Sequence, residues 1–531
     1  MPRLLMIGLD GFEISLAERW MADGALPNLA ALRDRSARYR LIHGPAKYTG
    51  LAWEHVSCAA TPEALNRHSA VRFDPSTYHV DQTPTSAEPV FARMNAKTVL
   101  FDVPYCDLAQ AKNAQGLVSW GAHDPGVPPY CRPDGLFEEL NARFGPYPAT
   151  EFIYAMCWQS RARTERAAAA LTEAARVRAA AAEWLLKERL PDWEFAVVTV
   201  SEPHSVIEPM WHGVDPAHPL HAMPSAKAAG AGVRAVYEET DRLIGRLVKA
   251  FPDAAVIAFA MHGMGANGAD VPSMALLPEL LYRRQFSEPF MATLPWRKAM
   301  NRRTPLLAED QDWYVAMRNR VPDPRSHAIG RKTRAALGRD AAVERAEIDW
   351  QPAARYRPFW PQMEAFAVPS FYDGRIRLNV SGRERFGSIS PNQAPFVVDA
   401  LKTFLFETVD PATGEPAVAD IAEPPTRIEE RGASESDLYV YWKGLPLALH
   451  HPETGTVGPI PYRRTGGHSG PYGFFYGADL DLPVGDHGET SSFNVMPTAL
   501  RALGERVDDL GVSGEPLRVR AKTGAIERAF A

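Results

Sequence analysis

The sequence predicts an α/β fold in which a mostly parallel central sheet lies between two layers of helices. Apolar segments with strand character alternate with amphipathic helical segments, beginning with RLLMIGLDG and EISLAERWMADG. The segments Glu194–Val200 and Ala254–Ala260 are continuous apolar runs, and each follows a long helical segment. Such runs are typical of central strands in a parallel sheet, because those strands are buried on both faces.

The other elements follow in chain order. PNLAALRDRSARY predicts a second helix after the first strand, since its apolar residues are three and four apart. The helices that precede the two buried strands lie within Arg163–Arg189 and Lys227–Ala250. Later, GRIRLNVSGRERFG alternates as a strand or hairpin does, DLYVYW is a further strand, and FNVMPTALRAL is a closing helix introduced by Pro497.

A segment of different character interrupts this pattern. Residues 289–360 are rich in basic residues and contain few long apolar runs. We expect residues 1–288 and 361–531 to form the core and residues 289–360 to form a helical surface insertion or lid. A solvated decoration without a role is the alternative for this segment.

Composition excludes several classes of protein. The 531 residues are 46% apolar and 23% charged, with a formal net charge of -6. This mildly acidic balance gives no electrostatic basis for binding nucleic acid or an anionic membrane surface. No apolar run has the length of about 20 residues that a transmembrane helix needs, and MPRLLMIGLDG lacks the pattern of a signal peptide. We therefore expect a cytoplasmic protein with reduced cysteines.

Two polar residues occupy positions where a site is expected. Asp10 directly follows the first strand, at the edge of the sheet where open α/β folds bind ligands. Thr49 lies in GPAKYTGLAWEH, at a predicted junction between a loop and a helix. Taken alone, Asp10 is more commonly a helix cap than a metal ligand, and Thr49 is an ordinary N-cap.

Histidines and acidic residues are concentrated after the second buried strand, in SEPHSVIEPMWHGVD. His204 and Glu208 are four residues apart, so on a helix they would face the same way and could share a metal ion. His262 and His468 lie among glycines, which permit close approach of the backbone to a ligand. A surface turn is the alternative, but together with Asp10 these residues favour a metal centre.

In its motifs the chain resembles the alkaline phosphatase superfamily, specifically its type I phosphodiesterase/nucleotide pyrophosphatase branch. The resemblance runs in order through IGLDG, LPNLAALRDRSARYRLIHGPAKYTGLAWEHVSCAATPEALNRH, HGMG, RLNVSGRE, GGHSGPYGFF and MPTALRALG, which covers nearly the whole chain. It implies an alkaline-phosphatase-like α/β/α sandwich, two neighbouring divalent metal ions, usually zinc, and a Ser or Thr nucleophile. Asp10 then corresponds to the ligand after the first strand and Thr49 to the nucleophile.

Three positions depart from the family's pattern. His204 stands where Asp is usual, Glu208 where His is usual, and Met261 where Asp is usual. A thioether is no substitute for a carboxylate on zinc or manganese. The departures leave open whether the chain binds one or two ions, and whether the ion is zinc, manganese or iron.

Two sets of ligands are nevertheless available. One consists of His204, Glu208 and His468, a His₂Glu set of the kind that zinc enzymes use with an open position. The other consists of Asp10, Thr49 and His262 and lacks one carboxylate. We expect Glu202, two residues before His204, to replace it.

These assignments predict a metal-dependent hydrolase of a small-molecule phosphodiester, phosphomonoester or sulfate ester. The Thr49 hydroxyl would attack in line, and water would then hydrolyse the phosphothreonine. We expect Lys47, Asn66 and Arg67 to hold the remaining oxyanions and His123 to line the pocket, although solvent-exposed positions without such roles are an alternative.

Two other functions remain open at this stage. A site of two histidines and one carboxylate is also typical of non-haem iron enzymes, in which Thr49 would bind substrate or metal without forming an intermediate. Alternatively, a pseudoenzyme could keep the fold after the loss of one metal site. The joint presence of Asp10, Thr49, His262 and His468 argues against the pseudoenzyme.

Overall fold

The computed structural model describes residues 3–292, 306–307, 311–321, 348 and 350–518. Its strands are, in chain order, β1 (Arg3–Leu9), β2 (Ser36–Ile42), β3 (Val71–Phe73), β4 (Val80–Gln82), β5 (Thr98–Phe101), β6 (Ala114–Val118), β7 (Tyr130–Arg132), β8 (Phe195–Val200), β9 (Ala254–Ala260), β10 (Gly265–Ala266), β11 (Ala365–Ala367), β12 (Gly374–Leu378), β13 (Val418–Ala422), β14 (Leu438–Trp442), β15 (Leu449–His451), β16 (Gly455–Val457), β17 (Gly466–Gly467), β18 (Gly473–Ala478) and β19 (Gly485–Ser491).

The α-helices are α1 (Ile14–Ala22), α2 (Pro27–Asp34), α3 (Ala52–Cys58), α4 (Pro62–Leu65), α5 (Leu136–Phe144), α6 (Arg161–Trp184), α7 (Glu202–Met210), α8 (Ala226–Ala250), α9 (Leu277–Phe286), α10 (Trp313–Arg320), α11 (Ala394–Phe406) and α12 (Val495–Ala502). Two 3₁₀ segments matter below, Gly44–Thr49 and Pro352–Gln362.

A nine-stranded sheet forms the centre of the fold, in the order β19-β2-β18-β9-β1-β8-β5-β6-β7. Five adjacent strands of this sheet run parallel to one another, namely β9, β1, β8, β5 and β6. Strands β18 and β7 run antiparallel to their neighbours. The predicted mostly parallel sheet is therefore confirmed.

Helices cover both faces of this sheet. Along β1, Leu5 and Ile7 point into the apolar core that α6 and α8 complete. Leu4 and Met6 point the other way, into the core that α3 and α12 complete. Because successive side chains of a strand face opposite sides, an uninterrupted apolar strand implies two cores, and the α/β/α sandwich has both.

A second, antiparallel sheet lies apart from the first, in the order β11-β12-β14-β13. It has its own apolar core, to which α9, α10, α11 and the β3–β4 hairpin also contribute. The strands predicted in GRIRLNVSGRERFG and DLYVYW are β12 and β14 of this sheet. Their alternation identified them as strands but did not show that they form a separate layer.

Most of the predicted insertion, residues 289–360, lies outside the described residues. Its described parts are not a solvated decoration. Trp313 and Met317 of α10 and Trp360 of the 3₁₀ segment are buried in the core of the second sheet.

None of the helices in the described ranges combines the length and the apolar character needed to cross a bilayer. All four cysteines are free thiols.

Candidate active site

The carboxyl ends of three neighbouring parallel strands bring the predicted site residues to one edge of the sheet. Asp10 follows β1, helix α7 follows β8, and His262 follows β9 by two residues. The backbone N–H of Asp10 donates to the carbonyl of Val200 at 2.9 Å, which aligns the ends of β1 and β8. This is the edge where open α/β sheets bind ligands.

One group of three side chains within the described residues is spaced to hold a metal ion. It consists of His123, His204 and Glu208, whose ligand atoms lie within 4.8 Å of one another. His204 and Glu208 are one turn apart on α7, with 3.4 Å between Nε2 and Oε1. All three side chains are buried, and two imidazoles with one carboxylate are a donor set that zinc favours. The residues therefore fit a divalent ion.

His123 reaches this group from a different strand end, the loop after β6. Its ring stacks on that of His204, with 3.8 Å between centroids. Its Nε2 lies 3.3 Å from Oε2 of Glu208, and its Nδ1 lies 2.9 Å from the Ser205 hydroxyl. The hydrogen bond to Ser205 orients the ring and leaves Nε2 toward the carboxylate. We predicted His123 only as a pocket residue.

His204 occupies the middle of a wider polar cluster. Its Nδ1 lies 3.0 Å from Oδ2 of Asp10, and its Nε2 lies 3.1 Å from Nε2 of His468. Burial alone would lower the pKa of His204, but Asp10 and Glu208 raise it to about 10. Burial would likewise raise the pKa of Asp10, but the His204 charge lowers it. The cluster thus holds opposite charges in a desolvated setting, and a metal ion bound by His204 would displace its proton.

Glu208 has a partner that the sequence analysis did not identify. Arg464 forms an ion pair with its Oε2, and Arg464 also binds Asp270 at 3.1 Å. Although burial favours the neutral acid, Arg464 and His123 hold the pKa of Glu208 well below its usual range. The available signal in the sequence was the pair Arg463 and Arg464, just before the GGHSG motif that contains His468.

His262 and His468 are brought together by direct contact between two glycine-containing turns. Their ring centroids are 4.4 Å apart. Burial lowers the pKa of His262 to about 4 and that of His468 well below its usual value, so both rings are neutral and available as ligands. Glu13 supports the first turn, since it accepts a 2.7 Å hydrogen bond from the N–H of Met264.

The close packing of these two turns leads to a testable prediction for Gly470. A Cβ at this position would lie 2.2 Å from the carbonyl carbon of Gly263 and 2.4 Å from the nitrogen of Met264. Gly470→Ala is therefore expected to force the turns apart and to destabilise the fold by about 1–3 kcal/mol, measured by urea denaturation. Gly432→Ala is the control, because its nearest Cβ contact would be 3.6 Å. Equal stability of the two variants would contradict the close packing.

Met261 stands at the family's acid position, and its side chain is buried in the apolar core with Trp53 and Phe259. Glu202, the carboxylate that we predicted to replace the missing acid, does not do so. Both oxygens of Glu202 accept from Nε of Arg178, at 2.9 and 3.0 Å, and the Tyr147 hydroxyl donates to Oε1 at 3.1 Å. We therefore correct the assignment of Glu202 as a metal ligand: its carboxylate belongs to a buried ion pair.

Thr49 ends the 3₁₀ segment that precedes α3, and it is buried. Its Oγ1 donates to the carbonyl of Ala46 at 2.7 Å and accepts from the N–H of Leu51 at 3.1 Å. Thr49 lines a cavity of about 540 Å³ together with His43. The His43 ring in turn lies 6.3 Å from that of His262, between centroids.

The three predicted oxyanion ligands occupy different settings. Asn66 lines the same cavity as Thr49. The Lys47 ammonium donates to the carbonyl of Gly470 at 3.3 Å, and burial lowers its pKa. The Arg67 guanidinium binds Glu54 at 2.9 Å and the carbonyl of Thr83 at 2.6 Å. We therefore correct the assignment of Arg67, because its guanidinium is held by the protein.

A second cavity, of about 390 Å³, adjoins the three-ligand group. His123 and Arg464 line it, and so does Gly50, the residue after Thr49. Most of its remaining wall is aromatic: Tyr105, Tyr154, Tyr314, Trp350, Phe371 and Tyr372. The Tyr372 ring also stacks on His468, with 3.9 Å between centroids, so the aromatic wall reaches the histidine cluster.

The α/β/α sandwich, with histidines and carboxylates after its parallel strands, agrees with membership of the alkaline phosphatase superfamily, which the match to a family model shows. More specifically, the chain belongs to the type I phosphodiesterase/nucleotide pyrophosphatase family, whose sequence profile matches residues 4–326. The resemblance read from the motifs is thereby confirmed, and the protein is a phosphoester hydrolase.

Two solved structures similar to this chain are of phosphonoacetate hydrolase from Sinorhizobium meliloti 1021. The complex with phosphonoformate is 14% identical, with a TM-score of 0.47, and the complex with phosphonoacetate is 13% identical, with a TM-score of 0.49. In both comparisons, 95% of this chain and 96% of the other are covered. Comparison with curated proteins found no match.

Proposed function

We propose that this chain hydrolyses a small-molecule phosphate ester with Thr49 as nucleophile and with a divalent metal ion, zinc in preference to manganese or iron. The observation that carries the proposal is the buried group His123, His204 and Glu208 at the carboxyl edge of the sheet. Two further polar side chains lie beside this group: His468 and Asp10 are each about 3 Å from a ring nitrogen of His204. When bound there, the ion would supply Lewis-acid stabilisation of the phosphoryl oxygens.

The chain's own residues prepare the Thr49 hydroxyl for attack. The carbonyl of Ala46 accepts a hydrogen bond from Oγ1, and the N–H of Leu51 donates one to the same oxygen. The donated hydrogen bond stabilises the negative charge that develops on Oγ1 as its proton passes to solvent water. The bond from Oγ1 to phosphorus then forms as the bond to the leaving ester oxygen breaks. The leaving oxygen takes a proton from solvent and departs as an alcohol, and water hydrolyses the phosphothreonine in the second half-reaction.

The two cavities suit an ester with a sizeable organic group. The aromatic wall of the smaller cavity offers apolar faces and hydroxyl groups for the part of the substrate beyond phosphorus. Tyr314 and Trp350 come from segment 289–360, which we propose to be an insertion that contributes to substrate recognition.

Metal content tests the ligand group directly. The purified protein is expected to contain about one equivalent of zinc, and His123→Ala is expected to lower zinc affinity by about 10–100-fold. Inductively coupled plasma mass spectrometry after dialysis at fixed free zinc measures both. His450→Ala is the matched control, because within the described part of the chain its ring contacts one side chain, the Thr456 hydroxyl, at 3.0 Å.

Three results would contradict this assignment. Bound iron in place of zinc would favour the non-haem iron alternative. Unchanged zinc content in His123→Ala would remove that residue from the ligand group. Hydrolysis of a p-nitrophenyl phosphodiester that survives chelation with EDTA would show that the reaction needs no metal.

A further inference from the structure

The loop that carries Thr49 is held in place by an arginine from the second sheet. Arg375 lies on β12 and is buried. Its Nη2 donates to the carbonyl of Tyr48 at 3.0 Å, and its Nη1 donates to the carbonyl of His68 at 2.7 Å. Its Nε donates to Oδ1 of Asp373 at 2.8 Å. One guanidinium thus joins three separate segments of the chain.

These contacts fix the peptide groups on both sides of Thr49. The carbonyl of Tyr48 belongs to the peptide bond that precedes Thr49. The carbonyl of Thr49 itself accepts a 3.0 Å hydrogen bond from the N–H of Ala70, two residues after His68. By holding Tyr48 and His68 together, Arg375 therefore determines where the Thr49 backbone lies and where its hydroxyl points.

The guanidinium is itself rigidly placed. Asp373 is buried and forms an ion pair with Arg375, and the Tyr439 ring lies 5.2 Å from the guanidinium carbon. A planar guanidinium with donors in several directions can span two carbonyls and a carboxylate at once, whereas a lysine ammonium is a single point charge. Position 375 therefore needs arginine for its geometry as well as for its charge.

A second arginine on the same strand, Arg377, is the control that distinguishes a positioning role from a structural role. Arg377 is as buried as Arg375. Because it lies two residues after Arg375 on the same strand, its side chain is on the same face of the sheet. It forms the same type of contact, with Glu384 at 2.7 Å and with the carbonyls of Gly432 and Glu435 at 2.8 and 3.0 Å. None of these three contacts is to the loop of Thr49.

We propose that Arg375 is a positioning residue for the nucleophile: it holds the Tyr48–Thr49 peptide in the orientation that directs the Thr49 hydroxyl for attack. This inference rests on the proposed function of Thr49. All three guanidinium nitrogens of Arg375 bind protein groups, so Arg375 acts through the loop. Its loss therefore lowers kcat, while substrate contacts elsewhere, and hence KM, stay largely intact.

The test compares wild type, Arg375→Ala, Arg377→Ala and Thr49→Ala in hydrolysis of a p-nitrophenyl phosphodiester. Folded protein is verified by circular dichroism. In Arg375→Ala we expect kcat to fall by about 30–100-fold and KM to change by less than about threefold. In Arg377→Ala, thermal stability falls in the same way but kcat of the folded protein stays within about threefold of wild type.

Chemical rescue adds a readout that a structural role would not produce. Arg375 lines the cavity that Thr49 also lines, so methylguanidinium can enter the space left by the deleted side chain. We expect methylguanidinium to raise kcat of Arg375→Ala by about tenfold and to leave Arg377→Ala unchanged. Methylammonium, which lacks the planar array of donors, is expected to rescue less.

Each failure has a different meaning. Wild-type activity in Thr49→Ala would overturn the proposed function. Inactive Thr49→Ala together with wild-type kcat in Arg375→Ala, or equal kcat losses in the two arginine variants, would overturn the positioning role alone. If Arg375→Ala does not fold, Arg375→Lys replaces it: a kcat loss of at least about tenfold at unchanged KM supports the role, and wild-type kcat overturns it.

Discussion

Thr49→Ala is expected to hydrolyse a p-nitrophenyl phosphodiester at least about 10³-fold more slowly than wild type. The substitution removes the atom that we propose forms the covalent bond to phosphorus, while the proposed ligands His123, His204 and Glu208 and the aromatic cavity remain. Thr49→Ser keeps the hydroxyl and should retain activity within about tenfold. Steady-state rates, and detection of a phosphothreonine at position 49 after acid quench, measure the effect.

The lost hydroxyl also has a local structural role, which needs its own control. Thr49 Oγ1 bonds Ala46 and Leu51, and removal of such a cap costs about 1 kcal/mol. Thr61→Ala removes a comparable cap, since Thr61 Oγ1 accepts from the N–H of Ala64 at 3.3 Å at the start of α4. If Thr49→Ala remains as active as Thr61→Ala, the nucleophile is a different group.

Arg178→Met is expected to give the largest loss of stability, about 3–5 kcal/mol in the free energy of unfolding. Arg178 is fully buried on α6 and binds two fully buried carboxylates, Glu202 and Asp102. It also donates to the carbonyls of Thr199 and Gly121, each at 3.1 Å. Without the guanidinium, two buried carboxylates lose their shared cation, and methionine supplies no donor in its place. Urea denaturation followed by circular dichroism measures the loss.

Arg176→Met is the matched control for this substitution. Arg176 lies on the same helix but is exposed, and its ion pair with Glu173 is on the surface. Such pairs contribute at most about 1 kcal/mol, so this variant should be nearly as stable as wild type. Addition of Glu202→Gln and Asp102→Asn to Arg178→Met should restore part of the stability, because the buried charges are then absent. Similar stability of the two single variants would show that the buried ion pairs contribute little.

The effect of Arg178 extends to the metal centre. Its partner Glu202 begins α7, the helix that carries His204, and Gly121 lies two residues before His123. Asp102 further accepts from the N–H groups of Trp120 and Gly121, at 2.8 Å each. Because α7 also carries Glu208, the buried charge cluster supports all three proposed ligands, and we attribute this supporting role to Glu202.

The strand ends that build the site were predictable because local pattern determines them. A continuous apolar run as short as that of β8 or β9, following a long helical segment, favours a buried strand, and in a parallel sheet the ends of such strands meet at one edge. The helical spacing of His204 and Glu208 is likewise a local property. Asp10, α7 and His262 therefore came to the expected edge of the sheet.

The failures concern contacts between residues far apart in the chain. Glu202 lies only two residues from His204, yet it starts the helix with its carboxylate toward Arg178, 24 residues earlier. His123 and Arg464 reach Glu208 from separate loops, and no periodicity links them to α7. The second sheet was missed for the same reason: alternation in β12 shows that it is a strand but not which strands pair with it.

The loop of Thr49 is attached to two apolar cores. Leu51 and Trp53, which follow Thr49, pack in a core of the central sheet, whereas Arg375 ties the peptide before Thr49 to the four-stranded sheet and its separate core. A sub-global opening that parts the two sheets would release the second attachment and leave the first intact. We therefore expect such an opening to inactivate the enzyme while the central sheet remains folded.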